Sequence, residues 1–278
     1  MGTWPTERCA VVAAVGRLPR DAAVVHRAVQ EAAYRAGAVT ILTVDDGEGE
    51  PAEQVAAAEA LARRLRPEVE VRTAVRPGPV VSSIVAASRA TDLVVLGCEG
   101  SSPVAKLVRG AVTANVAARA LSAVEVVPVP GEGPTLTAPR TRVVATMSET
   151  DHLEDLADIA FAEARRCGAP VEFWYPDDGG CAPSATAGRL ALRRRLQAAL
   201  APWLRGFPDV VCDVAVFPAA GPDATARMLV DTDVAVTLRG RGATSWGRPD
   251  GTTRVLIERS RCPVIVVPPR ERRRSRVG

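Results

Sequence analysis

Lysine is almost absent from this sequence: Lys106 is the single one among the 35 lysine and arginine residues. Aromatic residues are also scarce, at 4% of the chain, so its hydrophobic cores must be built mainly from Ala, Val and Leu. The formal net charge of +3 is too small to indicate a nucleic-acid surface by itself. The composition therefore predicts a globular protein that has no nucleic acid as a partner.

Long apolar runs and paired cysteines are missing as well. No run approaches the roughly 18 apolar residues that a membrane-spanning helix needs, so we expect no membrane partner. The six cysteines include no C-x-x-C pair, which argues against a zinc knuckle and against a redox dithiol. The simplest interpretation is a reduced, cytoplasmic protein.

Motifs for catalysis are absent too. The sequence has no G-x-S-x-G nucleophile elbow, no H-E-x-x-H and no Ser/His/Asp order. Its two histidines, His26 and His152, fit a structural or surface role better than a catalytic one. We therefore expect that the protein is not an enzyme. The alternative is a weak nucleotide hydrolase, but the sequence shows no residue positioned as the general base that hydrolysis would need.

The chain contains two copies of one pattern. Laid over itself, the sequence places Val11 on Val143 near the start of the copies and Val124–Pro128 on Val264–Pro268 near their ends. The offset between paired positions grows along the copies, which indicates a net insertion of eight residues in the second copy. We predict a domain at 1–130, a Pro/Gly-rich linker at 131–140, a second domain at 141–270 and a basic tail at 271–278.

Each copy alternates strand-length apolar runs with helical patterns. The predicted strands of the first copy are Val-rich and continuous, as strands buried on both faces are: Ala10–Val15, Val39–Val44, Val69–Val75, Leu93–Leu96 and Val124–Val127. An Ala-rich helix follows the first strand and is predicted to have Gly37 as its C′ residue. Alternation of this kind predicts a doubly wound α/β fold with a parallel sheet.

Three glycines follow the predicted fourth strand in the order Gly97-x2-Gly100-x9-Gly110. Glycine after a strand lets a ligand approach bare backbone, and a helix that begins at Gly110 would offer free N–H groups to an anion. Taken alone, glycines at such a turn are equally consistent with simple backbone geometry. No G-K-[ST] or G-x-G-x-x-G motif is present, so the segment is neither a Walker loop nor a dinucleotide-binding fingerprint.

The spacing and order resemble the universal stress protein family, whose motif is G-x2-G-x9-G-(S/T). The resemblance covers both copies and implies two tandem flavodoxin-like domains of the adenine nucleotide alpha hydrolase-like type. Each would hold a five-stranded parallel sheet in the order 3-2-1-4-5 with helices on both faces. The copies would pair through their last strands as a pseudo-dimer within the chain, and a further dimer is possible.

The resemblance also implies an ATP site in the first domain, in which the acidic residues after strand two could hold Mg²⁺. The residues at the family's binding positions are Val15, Val44, Leu96, Gly97, Gly100, Gly110, Ala111 and Val112. Val15 stands where nucleotide-binding members carry an Asp, and Ala111 replaces the motif hydroxyl. We therefore expect weak binding of an adenine nucleotide.

The second copy departs further from the motif. Met147 stands in place of the family's Asp, Thr237 replaces the first glycine, and Asp250 falls at the position of the third. A carboxylate there would repel phosphates, so we expect this copy to be degenerate. The resulting hypothesis is a non-catalytic stress-response module with a nucleotide site in domain 1. The alternative is an interaction or structural module, with an unknown protein partner, that has lost nucleotide binding in both domains.

Overall fold

A computed structural model describes the chain over residues 9–47, 50–99, 103–129, 140–147, 153–177, 183–218, 221–230, 233–239 and 251–269. The first half alternates strands and helices as the apolar runs predict. In chain order it contains β1 (Cys9–Ala14), α1 (Ala22–Tyr34), β2 (Val39–Asp45), α2 (Pro51–Leu65), β3 (Val71–Pro77), α3 (Val80–Ala87), β4 (Thr91–Glu99), α4 (Pro103–Arg119) and β5 (Ala123–Val129).

The second half repeats this succession, with one additional short helix before its third strand. It contains β6 (Arg142–Thr146), α5 (Leu153–Cys167), β7 (Val171–Asp177), α6 (Pro183–Ala199), α7 (Ala201–Gly206), β8 (Cys212–Pro218), α8 (Pro222–Met228), β9 (Asp233–Leu238), α9 (Gly251–Arg259) and β10 (Val264–Val267). The predicted linker lies outside the described residues except for Arg140, and the basic tail lies outside them entirely.

The described strands form one sheet of ten in the order β3-β2-β1-β4-β5-β10-β9-β6-β7-β8. Each half therefore has the order 3-2-1-4-5, with its strands parallel to one another. The halves meet where β10 runs antiparallel to β5, with Val264 opposite Val126. The predicted fold class, the strand order and the pairing through the last strands are confirmed.

Helices cover both faces of this sheet. On one face, α3 and α4 of the first half and α8 and α9 of the second bury a single core that runs across β5 and β10. On the other face, α1 and α2 enclose one core and α5 to α7 enclose another. Within the described part of the chain, no helix is both long and apolar enough to cross a membrane.

The end of α1 differs from the prediction by one residue. Ala36, not Gly37, has the positive φ of 47°, and the Gly37 N–H donates to the Ala32 carbonyl at 3.0 Å. The helix closes with the Schellman pattern, in which Ala36 is C′ and Gly37 is C″. The prediction of Gly37 as C′ was wrong because this turn places the left-handed residue immediately before the glycine.

Buried charges lie between α1 and α5, over the junction of β5 and β10. We call these residues the charge cluster: Arg27, Glu31, Arg35, Glu125, Arg140 and Glu163. Arg140 donates to both Glu31 and Glu163, which occupy equivalent positions in the two halves, and its Nη2 lies 3.2 Å from Glu125. All three carboxylates are fully buried, so the cluster ties the halves together at a point without solvent.

Candidate functional site

A cavity of about 670 Å³ opens at the carboxyl ends of β1, β2 and β4. Ligands in open parallel α/β sheets bind at this end of the strands, and the volume falls in the range of small-molecule sites. The wall is formed by the strand ends, the connections that follow β1 and β2, and the facing sides of α2, α3 and α4. Its residues are Ala14–Arg17, Arg20, Asp21, Leu42–Val44, Asp46, Glu50, Pro51, Gln54, Val80, Ile84, Leu96, Gly97, Val112 and Thr113.

Five of the residues at the family's binding positions lie in this wall. They stand at or just after the carboxyl ends of β1, β2 and β4 and on α4: Val15, Val44, Leu96, Gly97 and Val112. Parallel strands bring their carboxyl ends to one edge, which is why a pattern read separately after each strand converges in space. Whether these residues hold a ligand stays a prediction.

The glycine motif is arranged differently from the expectation. Gly97 lies within β4, paired with Val127 of β5, because the strand continues to Glu99. Gly110 lies inside α4, which begins at Pro103, so the N–H groups from Gly110 to Val112 belong to the helix ladder. The prediction that Gly110 opens the helix was wrong: proline favours a helix start, and a single interior glycine costs about 1 kcal/mol without ending the helix.

Two further members of the motif contribute nothing to the described wall. Ala111 is exposed on α4 and is not part of the cavity lining. Gly100 falls outside the described residues. The backbone N–H groups of residues 110–112 are therefore not available to an anion at this end of the cavity.

Thr113 fixes α4 against β4 at the cavity. Its hydroxyl donates to the Gly97 carbonyl at 3.0 Å, and the residue is 1% exposed. Thr253, its counterpart in the second half, donates to the Leu238 carbonyl at 3.2 Å. Comparison of the two copies pairs these threonines, although a repeat alone does not say what their hydroxyls contact.

A carboxylate reaches the site from the start of α1. Asp21 turns back to accept hydrogen bonds from the N–H groups of Gly16 at 2.7 Å and Arg17 at 2.8 Å, both on Oδ2. Its Oδ1 lies 3.2 Å from Nε of Arg20. Gln54 on α2 accepts the Leu18 N–H at 2.9 Å and holds the same loop from the other side.

Although Val15 replaces the Asp of nucleotide-binding family members, the cavity wall still contains a carboxylate. The side chain of Val15 is buried in the core beneath α1 and α2, whereas the carboxylate of Asp21 enters the wall six residues later. Two successive N–H groups that converge on one carboxylate form an anion-binding turn, which here is filled by the protein itself. The segment GRLPRD carries the signal, since a Gly and two Arg precede an Asp directly after a strand.

Thr43 presents an unsatisfied hydroxyl in the cavity wall. The residue is 3% exposed, and Oγ1 has no hydrogen-bond partner among the described residues. A buried hydroxyl without a partner costs about 1–3 kcal/mol, so a ligand atom that met it would restore this energy. An alternating strand pattern cannot distinguish such a threonine from one that packs in a core.

The acidic connection after β2 supplies two more carboxylates to the wall, those of Asp46 and Glu50. Asp45 instead accepts the Gly47 N–H at 3.1 Å, closing a turn in which Gly47 has a φ of 89°. Among the described residues, no group of three or more His, Cys, Asp or Glu side chains could hold a metal ion. Asp46 and Glu50 could contribute to a Mg²⁺ ion only together with ligand oxygens.

Two equivalent positions of the second half carry larger side chains. Superposition of the two copies in sequence places Trp174 at the position of Leu42 and Met147 at that of Val15. Trp174 is 4% exposed, meets Phe217 edge-on at 5.7 Å and donates from Nε1 to Glu172 at 2.8 Å. Gly240 and Asp250 lie outside the described residues, so the effect predicted for Asp250 stays a prediction.

No protein-family model matches the sequence, and no curated protein matches it significantly. The structure is similar to a universal stress protein from Archaeoglobus fulgidus DSM 4304, with a TM-score of 0.67 and 16% identity over 95% of this chain and 97% of that chain. It is also similar to a protein from Pseudomonas aeruginosa UCBPP-PA14, provisionally described as a universal stress protein. That match has a TM-score of 0.61 and 15% identity over 95% of this chain and 94% of the other.

The cytoplasmic domain of a prokaryotic cation chloride cotransporter has a related structure, with a TM-score of 0.55 and 14% identity over 93% of this chain and 95% of that chain. The chain therefore has the fold of the universal stress proteins, as its motifs predict. Because the same architecture also serves within a transporter, the fold alone leaves the function to be argued from the site.

Proposed function

We propose that this chain is a tandem universal stress protein that acts as a non-catalytic, cytoplasmic binding module. Its first half binds an adenine nucleotide weakly, and its second half binds none. The observation that carries the proposal is the cavity of about 670 Å³, in which five of the residues at the family's binding positions meet.

The apolar part of the wall is suited to the base and sugar of a nucleotide. Leu42, Ile84 and Leu96 belong to the buried core and reach the cavity, so a planar ring would cover apolar surface there. The hydroxyl of Thr43 provides a polar contact beside them. This combination of an apolar wall with a few fixed polar groups is typical of small-molecule sites.

The difference between the halves supports a single site. In the second half, Trp174 stands at the position of Leu42. Its side chain is much larger, is buried, and is held by a hydrogen bond from its Nε1 to Glu172. An indole held in this way removes space at the position where the first half has a cavity wall.

The hydrogen bonds that Asp21 already accepts support nucleotide binding rather than nucleotide hydrolysis. Its carboxylate already accepts two backbone N–H groups and pairs with Arg20. A carboxylate engaged in this way is a poor general base, because its lone pairs are directed at fixed donors. We expect phosphate release from ATP to stay at the buffer level, both with and without Mg²⁺.

Calorimetric titration of the full-length protein with ATP and with adenosine tests the proposal. The informative variant is Val80→Trp, since Val80 is half-buried at the start of α3 and lines the cavity. A bulky ring there should lower nucleotide affinity by about tenfold or more by occupying the space of the ligand.

Val85→Trp is the matched control, because Val85 is half-buried on the same helix but outside the cavity wall. It should leave affinity within about twofold of the parent. Equal losses in both variants would indicate that α3 was disturbed. If the parent protein binds neither ligand at millimolar concentration, the interaction-module alternative takes its place.

A further inference from the structure

The cavity wall is divided into an apolar part and a charged part. Most of the apolar part belongs to one core, and these residues are Ala14, Leu42, Val44, Val80, Ile84, Leu96 and Val112. The charged part comes from the connections after β1 and β2 and consists of Arg17, Arg20, Asp21, Asp46 and Glu50. Apolar and charged groups of one ligand would therefore contact different parts of the wall.

The only guanidinium groups in the described wall stand on the loop between β1 and α1. Asp21 holds this loop in place through the N–H groups of Gly16 and Arg17, and it pairs with Arg20. No described residue accepts a hydrogen bond from the side chain of Arg17, which is exposed at the cavity. A guanidinium presented by a clamped loop suits a phosphate, to which it can donate two parallel hydrogen bonds.

The part of the wall formed by β4 and α4 brings no cation among its described residues. Leu96, Gly97, Val112 and Thr113 are its members, and the N–H groups of residues 110–112 are used within α4. The positive groups of the described site thus lie after β1, and not at the glycine motif.

The charges of the wall also limit how much negative charge it accepts. Two arginines face three carboxylates, and Asp21 already neutralises part of the charge of Arg20. A triphosphate would bring its additional charges close to Asp46 and Glu50, and like charges at such distances are unfavourable. A single phosphate can be matched by Arg17 with Arg20 beside it.

We propose that the first half binds a nucleoside monophosphate, with its phosphate on Arg17 and Arg20 and its base against the apolar wall. The orphaned hydroxyl of Thr43, nine-tenths buried in the same wall, supplies an independent sign that a polar ligand atom belongs there. This inference rests on the proposed nucleotide-binding function and names the ligand class for the same cavity.

Calorimetry with adenosine, AMP and ATP in the absence of divalent cations tests the assignment on the full-length protein. We expect AMP to bind about tenfold more tightly than adenosine and ATP to bind no more tightly than AMP. Arg17→Gln should lower AMP affinity by about tenfold while changing adenosine affinity by less than about twofold. Arg63→Gln, which alters an exposed arginine of α2, is the control and should change neither.

A second arm removes negative charge from the wall. Glu50→Gln should raise the affinity for ATP relative to AMP, whereas Glu53→Gln, at an exposed position outside the wall, should not. ATP binding more than about tenfold tighter than AMP in the parent would overturn the proposal, as would an Arg17→Gln variant with unchanged AMP affinity. If the parent binds none of the three ligands, the proposed function itself fails.

Discussion

Glu31 lies in surroundings that a carboxylate seldom occupies. Its side chain is fully buried on α1, where it contacts the guanidinium groups of Arg27, Arg35 and Arg140. Burial, reinforced by the neighbouring carboxylates of Glu163 and Glu125, raises the pKa of Glu31 to about 8. The folded protein therefore retains a proton on this carboxyl at a pH where the unfolded chain has lost it.

This difference makes stability depend on pH in a defined direction. Because the folded pKa of about 8 exceeds the ordinary 4.5, the contribution of Glu31 is complete below pH 4.5 and is lost as the pH rises through 8. Glu31→Gln should reduce the loss in unfolding free energy between pH 5 and pH 8 by about 3–4 kcal/mol. Urea unfolding of the parent and the variant at several pH values measures this change in the pH dependence of stability.

Glu59→Gln is a suitable control for this prediction, since Glu59 forms an exposed ion pair with Arg63 on α2. The pH dependence of that variant should match the parent. An unfolding free energy of the parent protein that stays constant from pH 5 to pH 8 would mean that Glu31 is ionised in the folded state.

At the scale of elements, the two first helices of the halves end in the same way with different residues. Ala36 after α1 has a φ of 47°, and Gly168, at the equivalent position after α5, has a φ of 64°. Both positions are exposed, and a Cβ at Gly168 would meet no atom within 4 Å. The pair therefore isolates the backbone cost of an alanine in the left-handed region.

Ala36→Gly should stabilise the protein and Gly168→Ala should destabilise it, each by about 1 kcal/mol at most. Left-handed backbone costs a residue with a Cβ about 1–2 kcal/mol, and the greater freedom of glycine in the unfolded chain offsets part of it. Thermal unfolding of both variants measures the effect. Shifts of Tm in the same direction for the two substitutions would contradict this account.

Over the whole molecule, Arg140 is the side chain that joins the two halves inside the charge cluster. It reaches Glu31 of the first half and Glu163 of the second from a position just before β6, and it is 7% exposed. Removing one partner from a buried ionic cluster is costly because the remaining charges lose their compensation.

Arg140→Met should lower the unfolding free energy by about 3–5 kcal/mol, as expected when buried carboxylates lose a guanidinium. Chemical denaturation measures the loss. Arg63→Met, which breaks the exposed pair with Glu59, should cost no more than about 0.5 kcal/mol.

Addition of Glu163→Gln to Arg140→Met should recover part of this loss, because one uncompensated carboxylate is removed with it. Simple addition of the two single effects would show that Arg140 and Glu163 do not interact in the folded protein.

The sequence determined the class of fold and several of the residues at the sheet edge where the cavity lies. The strand order and the pairing of the copies through their last strands followed from the family resemblance. Valine-rich runs alternating with helical patterns, present in both copies of the repeat, were sufficient to predict a parallel α/β sheet in each copy. They succeeded because local periodicity reflects burial on both faces of a strand. The family resemblance assigned Val15, Val44 and Leu96 to the binding site, and each lies in the cavity wall at or near the end of its strand.

Only the tertiary structure decided which groups meet there. Gly110 proved to be interior to α4, while Asp21 folded back on Gly16 and Arg17 to hold the loop that carries two arginines. The charge cluster, likewise, assembles residues from α1, β5, α5 and the segment before β6. Local patterns report the periodicity of one segment at a time, whereas these contacts depend on how side chains distant in sequence approach one another once the sheet has formed.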